Sequence, residues 1–216
     1  MTYSSQQVLI LLAVVPNVVA ALLAALKWRR LPISIRPLAI LTVFALLTEI
    51  ISRVLWLLKL SNLFLLPIYI SVEFGLLVWL YSQAIDRQWI MRLRWPLTVG
   101  LGVLAILEEQ LKLPRAPAYN NLSRLMESAS IIVLALAYYH SALRQPKTAY
   151  IWREPLFWVS TGLLFFFTGS FLIYTVTNFA FYYHRPLVMQ LWVVHAGLDA
   201  LLYTTYAYAL WLSLKT

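Results

Sequence analysis

The chain contains no cysteine, and charged residues make up only 12% of its 216 positions. The first absence excludes disulfides, thiolate metal sites and cysteine nucleophiles, and leaves the redox state of the compartment unread. The second sets the chain apart from soluble domains, in which about a quarter of residues are charged. Histidine is scarce too, limited to His140, His184 and His195. Lysine occurs only at Lys27, Lys59, Lys112, Lys147 and Lys215, all outside the long apolar runs. A retinal Schiff base needs a lysine buried within a helix, so retinal is excluded as a cofactor.

What is present is apolar: 62% of residues are hydrophobic, the composition of an integral membrane protein. The net charge of +9 lies in short basic clusters between apolar runs, which points to membrane orientation rather than to nucleic acid. The N-terminal MTYSSQQ has no basic region, and no small-residue cleavage site follows it. The first apolar segment is therefore expected to stay as a membrane helix.

A helix rising 1.5 Å per residue needs roughly 20 residues to cross the hydrocarbon core. Seven stretches approach this: Gln7 to Leu26, Leu38 to Leu58, Leu63 to Ile85, Trp95 to Leu107, Leu122 to Leu143, Leu156 to Thr177 and Leu187 to Leu212. The fourth is an apolar run of only about 13 residues, which needs snorkelling flanks, a tilt or a re-entrant path. The loops after the first, third and fifth stretches hold Lys27, Arg29, Arg30 and Arg36, then Arg87, Arg92 and Arg94, then Arg144, Lys147 and Arg153. Lys215 joins them at the C-terminus, whereas the opposite side has only Lys59, Lys112, Arg115 and Arg185. Cytoplasmic loops are enriched in lysine and arginine, so the expected topology has the N-terminus outside and the C-terminus cytoplasmic. Dropping the fourth span would put two basic loops on opposite faces. The expected fold is an all-α, seven-transmembrane-helix bundle, a single membrane domain over residues 1–216. No internal repeat stands out. The sequon at Asn121 in the longest outer loop is short enough to arise by chance.

Charged side chains at bilayer depth cost about 2.5 to 3.5 kcal/mol each on insertion scales, so each asks for a reason. Glu49 and Arg53 fall in the second span, Glu73 in the third, Arg124 and Glu127 in the fifth, His195 and Asp199 in the seventh. Asn17, Thr168, Ser170 and Tyr174 are milder polar groups in other spans. On the expected topology, Glu49, Glu73, His195 and Asp199 sit near mid-membrane, and Arg53, Arg124 and Glu127 lie further out. That distribution describes a cavity open to the outside. Residues three or four apart share a helix face, so Glu49 with Arg53, Arg124 with Glu127, and His195 with Asp199 are each spaced as a local pair that could serve packing alone. The acids nevertheless outnumber the guanidinium groups, and Glu73 has no partner on its own helix. A protonated His195, a protonated carboxyl, a bound cation or a cationic ligand would each resolve the excess.

Ligand sensing through helix movement suits such a cavity, with membrane lipids around it, a small ligand from the outer side, and a signalling partner at the basic cytoplasmic face. It is the preferred reading, and it carries no catalysis. An intramembrane lipid hydrolase of the ceramidase type is an alternative. Zinc catalysis needs several ligands and an open position, and the candidate metal ligands are His195, Asp199, Glu73 and Glu49. A small proton- or cation-coupled transporter is the other alternative; such proteins favour inverted repeats and broken helices, and Pro16 and Pro67 could interrupt the first and third spans, but no repeat accompanies them. Gly162 and Gly169, seven residues apart, predict a close-packed helix face. Trp28, Trp95, Tyr139 and Trp152 read as an interfacial belt.

Two stretches carry a resemblance: EPLFWVSTGLLFFFTGSF entering the sixth span and LWVVHAGLDALLYTTYAYALW in the seventh. With SVEF in the third and LSRLMES in the fifth, they resemble a family of small bacterial seven-helix membrane proteins for which no activity is established. The resemblance implies a bacterial inner-membrane location and a shared site at Glu73, Arg124, Glu127 and His195.

Overall fold

The computed structural model describes residues 12–85, 88–110, 122–144, 150–183 and 185–215. The start of the expected first span, most of the longest outer loop with Asn121, and His184 lie outside the described residues. Within them the fold is all-α. The helices are α1 (Val15–Lys27), α2 (Arg36–Leu57), α3 (Leu65–Ala84), α4 (Gln88–Gln110), α5 (Leu122–Arg144), α6 (Pro155–Tyr183) and α7 (Arg185–Leu212), with short 3₁₀ turns at Trp28–Arg30, Ile33–Ile35 and Ile151–Arg153.

Five segments are long and apolar enough to cross a membrane: Ile33–Leu57, Leu65–Ala84, Leu122–Arg144, Pro155–Thr177 and Leu187–Leu212. They correspond to five of the seven expected spans. The fourth expected span is longer than its apolar run: α4 has 23 residues, about 34 Å at 1.5 Å per residue. Its flanks are rich in Arg, Gln, Glu and Met, all good helix formers, and Pro96 lies inside the helix without ending it. The two other prolines behave differently. Ala13 and Val14 form a turn ahead of α1, with Pro16 in its first helical turn, where a missing N–H is tolerated. Pro67 occupies the first turn of α3, so it starts that span rather than interrupting it.

Helices adjacent in sequence pack against each other, and α1 also packs on α7, which closes a ring. Helix α3 touches both α4 and α5, and this places α4 on the outside of the ring. Glycines set the closest approaches. A Cβ on Gly162 would meet Thr205 and one on Gly169 would meet Leu198, so α6 and α7 run antiparallel with a matched seven-residue step. A second seam joins α3 and α4, where Gly75 faces Thr98 and Gly102 faces Ser71. Without a hydrophobic drive between helices in lipid, such small-residue contacts supply much of the packing.

Hydroxyls on these apolar helices bond back to their own backbone, as Thr48 does to Phe44 O at 2.9 Å and Thr177 to Ile173 O at 2.6 Å. The outer faces carry Leu22, Leu47, Ile50, Leu136, Phe165 and Leu172, each exposed, an apolar coat that suits lipid rather than water. After α2 the chain turns through Lys59 at φ 57°. Lys59 N–H donates to Trp56 O and Leu60 N–H to Leu55 O, the Schellman arrangement that usually recruits glycine.

Candidate functional site

In an up-and-down bundle the ends of α2, α4 and α6 and the starts of α3, α5 and α7 lie together. A cavity of ≈ 1010 Å³ occupies this half of the protein, and side chains from all seven helices line it, from Asn17 on α1 to Tyr203 on α7. The basic clusters at Lys27 to Arg36, Arg92, Arg94, Arg144 and Arg153 belong to the opposite helix ends.

Short spacings on three helices build the site. Tyr69 and Glu73 are four apart on α3, Arg124 and Glu127 three apart on α5, and His195, Asp199 and Tyr203 succeed each other every four residues along one face of α7. The Tyr69 hydroxyl donates to Glu73 Oε1 at 3.1 Å. Its single proton is thereby engaged, so in the 3.3 Å contact with Tyr203 the Tyr203 hydroxyl is the donor. Arg124 Nη1 donates to Glu73 Oε2 at 3.2 Å and to Glu127 Oε2 at 2.8 Å. The result is a continuous chain, Tyr203 to Tyr69 to Glu73 to Arg124 to Glu127, across α7, α3 and α5. Arg124 also lies 5.3 Å from the centre of the Tyr69 ring.

This chain sits deep. Glu73 is 3% exposed and Glu127 0%. One guanidinium nitrogen serves both carboxylates, while Arg124 Nε and Glu127 Oε1 have no hydrogen-bond partner among the described residues. Buried ion pairs are held by complete hydrogen bonding, and here it is incomplete. A carboxylate–arginine–carboxylate unit keeps a formal excess of one acid.

Of the local pairs expected from spacing, two form. Arg53 contacts Glu49 Oε1 through Nε at 2.7 Å and Nη2 at 2.6 Å, and both side chains are partly exposed, at 40% and 37%, and line the cavity. Arg124 with Glu127 is the second. His195 and Asp199 form no such pair: His195 Nε2 bonds the Tyr174 hydroxyl on α6 at 3.1 Å instead. The imidazole is boxed by Phe166, Tyr174 and Trp192, with ring centroids 5.3, 5.7 and 5.6 Å away. Asp199 lines the cavity with no hydrogen-bond or ion-pair partner among the described residues.

Among the milder polar residues, Asn17 and Tyr174 line the cavity. Ser170 is buried with its hydroxyl unpartnered among the described residues, and Thr168 is exposed. His140 is exposed at the opposite end of α5. Sequence reasoning missed Tyr69 and Tyr203, although each extends an acid's ladder by one four-residue step. It also missed Glu108 at the end of α4, whose carboxylate accepts the Leu122 and Ser123 backbone N–H groups at 2.7 and 3.0 Å and so caps α5. Among the described residues, no three His, Asp or Glu side chains converge as a metal-binding group. No protein-family model matches this chain, and no curated protein or solved structure is similar to it.

Proposed function

We propose that the chain is a seven-span bacterial inner-membrane protein, N-terminus outside and C-terminus cytoplasmic, that binds a small solute from the outer side and responds through its helix packing. The observation that carries this reading is the cavity itself, at ≈ 1010 Å³ within or just above the size range of small-molecule sites, to which every helix contributes. A ligand touching all the helices can favour one packing over another, which is the requirement for sensing. The orientation is supported by the basic clusters at the far end, and by cation–aromatic contacts there between Arg36 and Trp28, Arg94 and Trp95, and Lys215 and Trp211. A partner on the cytoplasmic side would meet this basic face. Screening water-soluble solutes by thermal unfolding of the purified protein tests the reading. At least one solute should stabilise the wild type and lose its effect in Glu73→Gln and His195→Ala. A screen in which nothing stabilises, or in which both variants respond like the wild type, overturns it.

One observation favours a second reading, a proton-coupled transporter. The Tyr203–Tyr69–Glu73 hydrogen-bond chain ends on two carboxylates that share one guanidinium nitrogen, an arrangement able to hold and pass a proton. Solute counterflow in proteoliposomes would establish transport, and its absence with a stabilising solute in hand would leave sensing.

A further inference from the structure

We infer that the solute is an organic cation, with an ammonium group on Asp199 and its carbon groups against the rings of Trp192 and Tyr203. This rests on the ligand-binding reading above and names the chemical class for the same cavity.

Neutralisation around the cavity is the first ground. Arg53 is matched to Glu49. Arg124 is divided between Glu73 and Glu127. Glu108 is engaged by the first N–H groups of α5. Asp199 faces the cavity with no hydrogen-bond or ion-pair partner among the described residues, and the nearby Arg124 is bonded to Glu73 and Glu127 instead. His195, four residues away, is turned to Tyr174. An anionic solute would meet two arginines already taken up by carboxylates, together with an unmatched aspartate, so the cavity selects against it.

The walls are the second ground. Trp192, Asp199 and Tyr203 stand seven and four residues apart on α7, one continuous stripe, and all line the cavity. A carboxylate flanked by aromatic faces is the pairing that recognises alkylated or primary ammonium groups. The protein already uses it internally, with Arg124 over Tyr69. A bare metal ion fits less well, since no ligand group converges among the described residues and the volume suits an organic molecule.

The test uses the full-length protein in nanodiscs and a panel of alkylammonium ions, choline, tetramethylammonium and short primary amines among them. Each is set against its neutral carbon isostere, 3,3-dimethylbutan-1-ol for choline, with binding read by Trp fluorescence and by thermal unfolding. At least one ammonium ion should bind while its isostere does not, and Asp199→Asn should weaken it by roughly thirtyfold or more, as loss of a desolvated charge partner does. The comparison of ammonium with isostere is made on the wild type, so it stands even if Asp199→Asn fails to fold. Isosteres binding as well as the cations, or a folded Asp199→Asn binding unchanged, overturns the cationic class and leaves the ligand cavity intact. If no ammonium ion binds while neutral or anionic solutes do, the same conclusion follows. Failure of every solute, whatever its charge, overturns both readings.

Discussion

Charges stand out in apolar sequence, which is why Glu49, Glu73, Arg124, Glu127, His195 and Asp199 were legible residue by residue. Their partners were less so. Spacing brought His195 and Asp199 to one face of α7, but the partner His195 takes, Tyr174, lies across the α6–α7 seam, and sequence spacing carries no information about neighbouring helices. Tyr69 and Tyr203 were hidden by abundance, two among 13 tyrosines in the chain with no charge to mark them. The tightest consequence of the geometry concerns Arg124. Replacing it by alanine leaves Glu73 and the fully buried Glu127 with no cation between them, and removing one partner of a buried ionic group typically costs about 3–5 kcal/mol. Arg124→Ala should lower the unfolding midpoint in detergent strongly, and adding Glu127→Gln should recover part of the loss. A double variant as unstable as the single one would show that the two carboxylates do not compete for one cation.

Element boundaries follow the balance between apolar runs and helix propensity. The spans that became α2, α3, α5 and α7 were legible to within a few residues, because their apolar runs fill the length of the helix. Helix α4 was not, because hydropathy sees only the stretch from Trp95 to Leu107 and backbone hydrogen bonding carries the helix on through polar flanks. Helix α6 likewise runs past Thr177 to Tyr183. The glycine spacing on α6 correctly announced a packed face, though not which helix it meets. Since a Cβ on Gly162 would collide with the Thr205 side chain, Gly162→Ala should destabilise the protein by about 1–3 kcal/mol, the usual cost of overpacking. Thr205→Ala in the same chain should restore most of it. Thermal unfolding of the three variants reads this, and an additive loss in the double variant would mean that α6 and α7 do not meet there.

At the scale of the whole molecule, the alternation of basic and neutral loops implied which helix ends lie together, and the cavity is found at the less basic end. The expectation of an outward cavity came from the depths of charged residues along separate helices. Its walls were not legible, because they depend on α1 packing against α7 to close the ring. The absence of cysteine makes the central claim directly accessible, since any single cysteine introduced is the only reactive thiol. Ala196 lines the cavity between His195 and Asp199. Ala196→Cys should be modified by the membrane-impermeant reagent 2-(trimethylammonium)ethyl methanethiosulfonate added outside intact cells, far faster than a lipid-facing control such as Leu172→Cys. Modification only from the cytoplasmic side of inverted vesicles, or at the rate of the control, would contradict an outward-facing ligand cavity.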